Sequence, residues 1–464
     1  MGKRIHFVGI GGAGMSAIAR VLLAEGEQVS GSDLQDSAVT DDLRRAGATV
    51  YIGHRPEQVR GADEVVVSTA IAPDNPEVVE ARRLGIPVRH RSEALADLLN
   101  ARQGVAVAGA HGKTTITSMI AWALHRTGES VTFLIGGVLP GIGGAGAGTG
   151  PFVVAEADES DRSFLRYRPF LAVVTSIEPD HLEYYENSFA QLQEAYRQFL
   201  DNVKEGGVRV LCTDDPTLQA LAGLYGGRDR LVTYGLSRNG AAGIPAYGAA
   251  EVAQLGFRST FRLVKEGRPA ERVELAVPGR HNVQNALACL AATDALGVDR
   301  GAVIEALAAF RGARRRLEVV GDENGILVID DYAHHPTEIK ATLAACRAAF
   351  PDRRLIAVFQ PHRYSRTAQL GAEFAGSFPD ADAVVLTEIY APPPERPLPG
   401  VSGETLAREA EARTAAPVRY APDLDAAVDA VRSIARPGDV VVTMGAGDVW
   451  KVARRLAGRD AARY

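Results

Sequence analysis

A chain of 464 residues is long enough for about three domains of ~150 residues, each burying its own core. With 46% hydrophobic and 23% charged residues it has the composition of a globular protein, which excludes disorder or a fibre as the main theme, and no uncharged apolar run approaches the ~18 residues of a membrane span. A net charge of −6 argues against a broad nucleic-acid-binding face, and the polar, glycine-rich N-terminus is unlike a secretory signal, so a cytoplasmic protein without a nucleic-acid partner is expected.

Short β-branched runs alternate with glycine or acidic turns and helical stretches, the rhythm of α/β domains with parallel sheets. The first predicted strand, Arg4 to Val8, leads into Gly9-Ile10-Gly11-Gly12-Ala13-Gly14 and a helix over Ser16 to Glu25. Gly9, Gly11 and Gly14 fit G-x-G-x-x-G, in which glycines let a pyrophosphate approach backbone amides at a helix N-terminus. Asp33 follows the next strand, Gln28 to Ser30, at the place of a ribose-binding acid. Taken alone these residues point to NAD, although the same turn accepts any diphosphate, a nucleotide sugar included. With a further strand at Glu64 to Ser68, a first domain is expected over residues 1–103.

A strand from Gly104 to Ala108 opens a second domain, residues 104–312, and runs into Gly109-Ala110-His111-Gly112-Lys113-Thr114-Thr115 before a helix over Ile116 to His125. This is a shortened phosphate loop, with Val107 where the usual pattern has its first glycine. Its backbone amides cradle an anion, Lys113 reaches β- and γ-phosphates, and the Thr114 hydroxyl joins a Mg2+ shell. Lys113 is one of six lysines against 45 arginines, so its position stands out from the composition. Between Gly136 and Gly150, eight of fifteen residues are glycine, which predicts a mobile loop.

The strand Phe152 to Ala155 ends in Glu156-Ala157-Asp158-Glu159-Ser160-Asp161, and acids downstream of a phosphate loop commonly anchor the metal. Glu156 is the candidate, while Glu159 and Asp161 read equally well as a solvated turn. Leu171 to Ser176 runs into Ile177-Glu178-Pro179-Asp180-His181, where the His181 imidazole is a second candidate ligand at the same sheet edge. Gly279-Arg280-His281-Asn282-Val283-Gln284-Asn285 opens a helix to Leu296, its amides suited to an adenine edge or to an ordinary helix start.

A third domain, residues 313–464, follows the cluster Arg311 to Arg316, with strands Ile326 to Ile329, Leu355 to Phe359, Ala383 to Leu386 and Val440 to Met444. Three polar clusters follow strands: Asp330-Asp331-Tyr332-Ala333-His334-His335-Pro336, Gln360-Pro361-His362-Arg363-Tyr364-Ser365-Arg366 and Gly445-Ala446-Gly447-Asp448. Ligands bind outside the carboxyl ends of parallel strands, so these clusters are expected to share one crevice. Cys212, Cys289 and Cys346 have no metal-like spacing and read as buried free thiols.

In order, the motifs at 9–15, 109–115, 156–161, 279–282, 330–336 and 359–364 resemble those of the Mur ligases and span essentially the whole chain. Each motif alone is weak; the ordered set is specific. The resemblance implies a three-domain α/β fold: a Rossmann-like N-terminal domain for a UDP-sugar, a central P-loop-type ATPase domain and a C-terminal Rossmann-like domain for the incoming amino acid. The first glycine motif thereby passes from NAD to UDP. The implied activity is ATP- and Mg2+-dependent ligation of L-alanine to the lactyl carboxylate of UDP-N-acetylmuramate through an acyl phosphate, in peptidoglycan precursor synthesis. By the same resemblance Gly109 to Thr115, Asn285, Arg316 and Asp331 hold ATP, and Thr114, Glu156 and His181 hold metal. Gly11, Gly12, Ala13, Gly14 and Asp33 hold the UDP-sugar, His335 and Arg363 lie near the amino acid, and Lys113, His181, His335 and Arg363 serve catalysis. Several sister ligases carry a carbamylated lysine in the helix after the Asp-His pair; Phe189 to Asp201 contains no lysine, which fits the alanine-adding branch. The competing readings are a recycling ligase that attaches a preformed tripeptide to the same UDP-sugar, an NAD-dependent dehydrogenase, and a nucleotide-binding regulator without activity. A monomer or weak homodimer is expected.

Overall fold

Strands that are apolar throughout their length, such as Leu355–Phe359 and Val440–Met444, are buried on both faces, which is how parallel sheets covered by helices read. The computed structural model describes residues 2–226, 230–236, 245–392 and 395–459. Its α/β architecture has three domains built on three sheets. In the first sheet the order is Thr49–Ile52, Gln28–Asp33, Arg4–Val8, Glu64–Val67, Val88–His90, all parallel, with Phe7 beside both Gly31 and Val66. The strand order reverses at Arg4–Val8, so the crevice of this doubly wound sheet opens at that strand's carboxyl end, where Gly9 begins the glycine turn.

The second sheet has ten strands, and its centre carries the order Val208–Cys212, Leu171–Val174, Gln103–Ala108, Phe152–Glu156, Thr132–Leu139. These five run parallel. The helix Lys113–Arg126 follows Gln103–Ala108 and buries Ile116, Met119, Ile120, Ala123 and Leu124, the spacing of one helical face. Each such large side chain contributes about 1.5–3 kcal/mol by leaving water.

The glycine-rich stretch is not the mobile loop expected from its composition. Thr132–Leu139 pairs antiparallel with Gly143–Gly146, the outermost strand of the sheet. A Cβ on Gly146 would stand 2.5 Å from the Phe133 ring, and one on Gly144 would stand 2.8 Å from the Gly137 carbonyl oxygen. The glycines therefore allow close packing of an ordered hairpin rather than freedom of movement.

The third sheet has the order Glu318–Glu323, Ile326–Asp331, Val440–Met444, Leu355–Phe359, Ala383–Thr387, Val418–Ala421, parallel except for the first pair. Alternate residues feed two cores. Leu355, Ala357 and Phe359 meet Phe374 and Phe378 on one face, while Ile356 and Val358 meet Val428 and Val431 on the other.

By packing, the chain forms two compact units. One comprises Met1–Ala250, Leu263–Glu271 and Gln284–Leu307; the other comprises Glu251–Arg262, Arg272–Val283 and Ala308–Tyr464. The first sheet and the strands around the phosphate loop lie in the first unit, and the third sheet lies in the second. The three cysteines are buried free thiols, as expected. Among the described residues no helix is long and apolar enough to cross a membrane.

Candidate active site

In the first unit the phosphate loop joins Gln103–Ala108 to the helix Lys113–Arg126. Gly109 and Gly112 have φ of +129° and +81°, values that disfavour any side chain. A Cβ would also collide at both places, 2.0 Å from Thr175 Oγ1 and 2.8 Å from Asn285 Oδ1 respectively. The loop is thus wrapped by the end of a neighbouring strand on one side and by Asn285 on the other. Ala110 N donates to Ser176 O at 2.9 Å, and Thr175 Oγ1 donates to His111 O at 2.5 Å, which fixes its path.

Lys113 folds back over this loop, its Nζ donating to Gly109 O at 2.6 Å and to both carboxylate oxygens of Glu159 at 2.8 and 2.9 Å. Burial pushes the ammonium down, but Glu159, aided by Asp158, outweighs it and holds Lys113 above its ordinary pKa. Burial pushes Asp158 up in turn, and the Lys113 charge with hydrogen bonds from Ser160 brings it below the usual carboxylate range.

Because Leu171–Val174, Gln103–Ala108 and Phe152–Glu156 are parallel neighbours, their carboxyl ends flank the loop on both sides. Glu156 ends one flanking strand, and its Oε1 accepts from Gly136 N, in the glycine hairpin, at 2.7 Å. Beyond the other lie Glu178, whose Oε2 is 3.2 Å from His111 Nε2, and His181, whose Nε2 is 3.5 Å from Asp180 Oδ2. His181 holds a left-handed φ of +57°. The carboxylate of Glu156 and the hydroxyl of Thr114 are the hard oxygen donors that suit Mg2+, and the His181 imidazole is a softer donor at the same sheet edge.

The first glycine turn is held from strand Gln28–Asp33. Gly9 N and Ile10 N both donate to Ser32 O at 2.8 and 2.9 Å, Gly11 N donates to Asp33 Oδ2 at 2.9 Å, and Gly12 starts the helix Ala13–Ala24 that contains Gly14. Asp33 therefore lies at the turn, with its carboxylate bracing the backbone there. Behind it the buried Glu77 accepts from Ser32 Oγ at 2.5 Å and lies 3.2 Å from His6 Nε2 and 2.9 Å from His54 Nδ1. Burial pushes Glu77 up, and the bonds from His6 and Ser32 bring it below its ordinary range.

In the second unit the polar clusters gather at one edge of the third sheet. Arg315 reaches Asp330 Oδ2 at 3.1 Å and donates to the carbonyls of Gly447, at 3.1 Å, and Gly445. Gln360 Nε2 donates to Asp448 Oδ1 at 2.9 Å while its Oε1 accepts from Val449 N at 3.1 Å. His362 stacks on Tyr390 at 5.7 Å. The expected convergence of residues 330–336, 360–366 and 445–448 is thus present within this sheet.

The individual candidates there do different things. Asp331 is buried and accepts from Leu317 N at 2.7 Å and Ala333 N at 2.8 Å. Arg316 stands over the Tyr332 ring at 5.2 Å. His335 precedes the helix Pro336–Ala349 and accepts from Thr337 N at 3.4 Å. Arg363 has a φ of +73° and a half-exposed side chain 3.7 Å from Glu395. Burial, reinforced by Arg316 at His281 and by His334 at His362, holds three imidazoles down: His281 and His334 to about 4 and His362 to about 3. Burial raises Asp330 to about 7 against the pull of Arg315, and it raises Asp331 as well.

The sequence leaves Glu159 undecided and gives no sign that it, rather than Glu156, clamps Lys113. Arg315 is hidden in the same way among Arg311, Arg314 and Arg316. The spacing within the acid run is the available signal for Glu159: Glu156 and Glu159 are three residues apart just past a strand, so the turn between them decides which carboxylate faces the loop.

Three Mur ligase family models match the chain in series: the catalytic domain over residues 4–103, the middle domain over 107–293 and the glutamate ligase domain over 315–447. The chain is 50% identical to a UDP-N-acetylmuramate–L-alanine ligase of Symbiobacterium thermophilum, covering 98% of this chain and 94% of that protein. It is 46% identical to the ligase of the same name from Trichlorobacter lovleyi, over 98% and 99%. Among solved structures, the UDP-N-acetylmuramate–alanine ligase of Thermotoga maritima matches with a TM-score of 0.82 at 31% identity over 98% of both chains. A murein peptide ligase from Psychrobacter arcticus matches with a TM-score of 0.69 at 27% identity over 99% of both.

Proposed function

The chain belongs to the Mur ligase family, and from that premise we infer that it is an ATP-dependent amide-bond-forming ligase that joins L-alanine to the lactyl carboxylate of UDP-N-acetylmuramate in peptidoglycan precursor synthesis. The observation that carries this reading is the match along essentially the whole chain to alanine ligases at 46% and 50% identity. Residues 1–103 take the UDP-sugar, 104–312 take ATP and 313–464 take L-alanine. All three reactants are small soluble molecules, which suits a cytoplasmic enzyme acting as a monomer or weak homodimer.

The acceptor carboxylate attacks the γ-phosphorus of ATP, the bond to the β,γ-bridging oxygen breaks, and ADP leaves behind an acyl phosphate. The neutral amine of L-alanine then attacks the acyl carbon; the tetrahedral intermediate expels phosphate and the amine proton passes to solvent. Attack of one anion on another requires charge neutralisation. Lys113 supplies it by exchanging Glu159 for the β- and γ-phosphate oxygens when the nucleotide fills the loop. Thr114, Glu156 and His181 would hold a Mg2+ ion, which would supply further neutralisation. Asn285, Arg316 and Asp331 serve the nucleotide; His335 and Arg363 orient the amino acid. Binding groups drawn from separate domains supply proximity, which asks for domain closure during turnover.

A coupled phosphate-release assay with UDP-N-acetylmuramate, ATP and a panel of amino acids tests the reading. Release with L-alanine well above every other member is expected. Release with the tripeptide but not with alanine would transfer the chain to the recycling branch, and stabilisation by NAD rather than by UDP-N-acetylmuramate in a melting experiment would reinstate a dehydrogenase.

A further inference from the structure

The glycine turn at Gly9–Gly14 lacks the positive charge that a diphosphate asks of its site. It contains no lysine or arginine, and Arg20, the first cation of the helix Ala13–Ala24, is paired with Asp42 at 3.3 Å. The side-chain charge on the turn is that of Asp33, bonded to Gly11 N, and it repels an anion. Backbone amides alone would have to hold two phosphates against it.

A guanidinium from elsewhere meets this need. Arg91 is the first residue of the helix Arg91–Ala101, which packs against Ala13–Ala24 and Glu64–Val67 of the first sheet and against Gln103–Ala108 and Phe152–Glu156 of the second. Its Nη1 lies 3.1 Å from the place a Cβ on Gly14 would occupy. The side chain is 26% exposed, and its ion pair, Nη2 to Asp158 Oδ2, spans 3.9 Å, too long for a hydrogen bond. A loose pair of this kind contributes little to stability, so a purely structural role does not account for the placement of this guanidinium beside the turn.

Resting on the reading of the previous section, we propose that Arg91 binds the diphosphate of the UDP-sugar acceptor. The planar fork of arginine matches phosphate oxygens bidentately, which a lysine does not reproduce. On binding, the fork leaves Asp158 for the phosphates, and the acceptor is held between the glycine turn and the acid run beside Lys113.

The test is calorimetric binding of UDP and of uridine to the wild-type chain, Arg91→Met and Arg91→Lys, alongside KM for UDP-N-acetylmuramate and for ATP and the melting temperature. In Arg91→Met we expect UDP affinity to fall and KM for UDP-N-acetylmuramate to rise, each by roughly 10- to 100-fold. Uridine affinity, KM for ATP and melting temperature stay at wild-type values, and Arg91→Lys recovers part of the loss. UDP affinity within twofold of wild type in Arg91→Met would overturn the proposal. So would an equal loss of uridine affinity, or a fall in melting temperature matched by a rise in KM for ATP, because either makes Arg91 a structural residue. A wild-type chain that binds neither UDP nor UDP-N-acetylmuramate would overturn the acceptor assignment as well; wild-type binding that Arg91→Met retains would overturn only the role of Arg91.

Discussion

The first unit contains two strand-glycine-helix turns that share a backbone design and differ in where their charge comes from. At Gly109–Thr115 the cation is built in: Lys113 opens the helix and is stored on Glu159. At Gly9–Gly14 the turn itself is neutral, is braced by Asp33, and takes its nearby cation from Arg91 on another helix. A stored lysine can be released onto a phosphate that must react, whereas an arginine in a fixed fork suits a diphosphate that must stay in place. On the function proposed above, the turn at Gly109–Thr115 serves chemistry and the turn at Gly9–Gly14 serves holding.

The sharpest way to break that comparison is Lys113→Ala. ADP release in the presence of all three substrates should fall by about 10³-fold or more while UDP binding is untouched; turnover near wild type would sink the distinction. Next in size, Glu159→Gln removes the stored partner of a largely buried lysine, and the urea midpoint should report a loss of ~3 kcal/mol. An unchanged midpoint would mean that the pair does not matter to the fold. At the other turn, Asp33→Ala removes the carboxylate that fixes Gly11 N, and KM for UDP-N-acetylmuramate should rise about 10-fold because loss of that brace outweighs the relief of its repulsion, with KM for ATP unmoved; a lower KM would show that repulsion dominates. The smallest effect belongs to Gly136→Ala, whose new Cβ would lie 2.8 Å from Glu156 Oε1. The half-saturating Mg2+ concentration should rise by roughly 3-fold through displacement of that carboxylate, and a superimposable metal titration would remove Glu156 from the metal shell.

Leu355–Phe359 and Val440–Met444 are legible to the residue because a covered parallel strand is apolar along its whole length. Gln28–Ser30 is legible only in part: the strand continues through Gly31, Ser32 and Asp33, whose polar composition hides a stretch in which Gly31 and Ser32 are buried. The hairpin at Thr132–Gly146 escapes a sequence reading because glycine marks both freedom and close approach, and only the neighbouring Phe133 ring and Gly137 carbonyl tell them apart. Lys113 is conspicuous among so few lysines, whereas Arg91 is one arginine in 45 and acquires a meaning only when its helix packs beside the glycine turn. Positions fixed by local spacing are thus readable, and those fixed by contact between distant segments are not.

The neutral imidazoles of the second unit give the protein an acid-labile side. In the unfolded chain a histidine takes its proton near pH 6.5, whereas His281, His334 and His362 refuse one until about 4 or below. Acidification from pH 6.5 toward 4 therefore feeds protons to the unfolded state first. Asp330 and Asp331, raised by burial, act in the opposite sense by keeping protons in the fold. The three imidazoles outnumber the two carboxyls, so within this group the unfolded state takes up protons first and stability should fall as the pH drops from about 6.5 toward 4. Melting temperatures recorded between about pH 6.5 and pH 4.5 should decline, and a flat profile over that window would mean that the three imidazoles do not govern the acid side; on this balance the chain stores best at neutral pH.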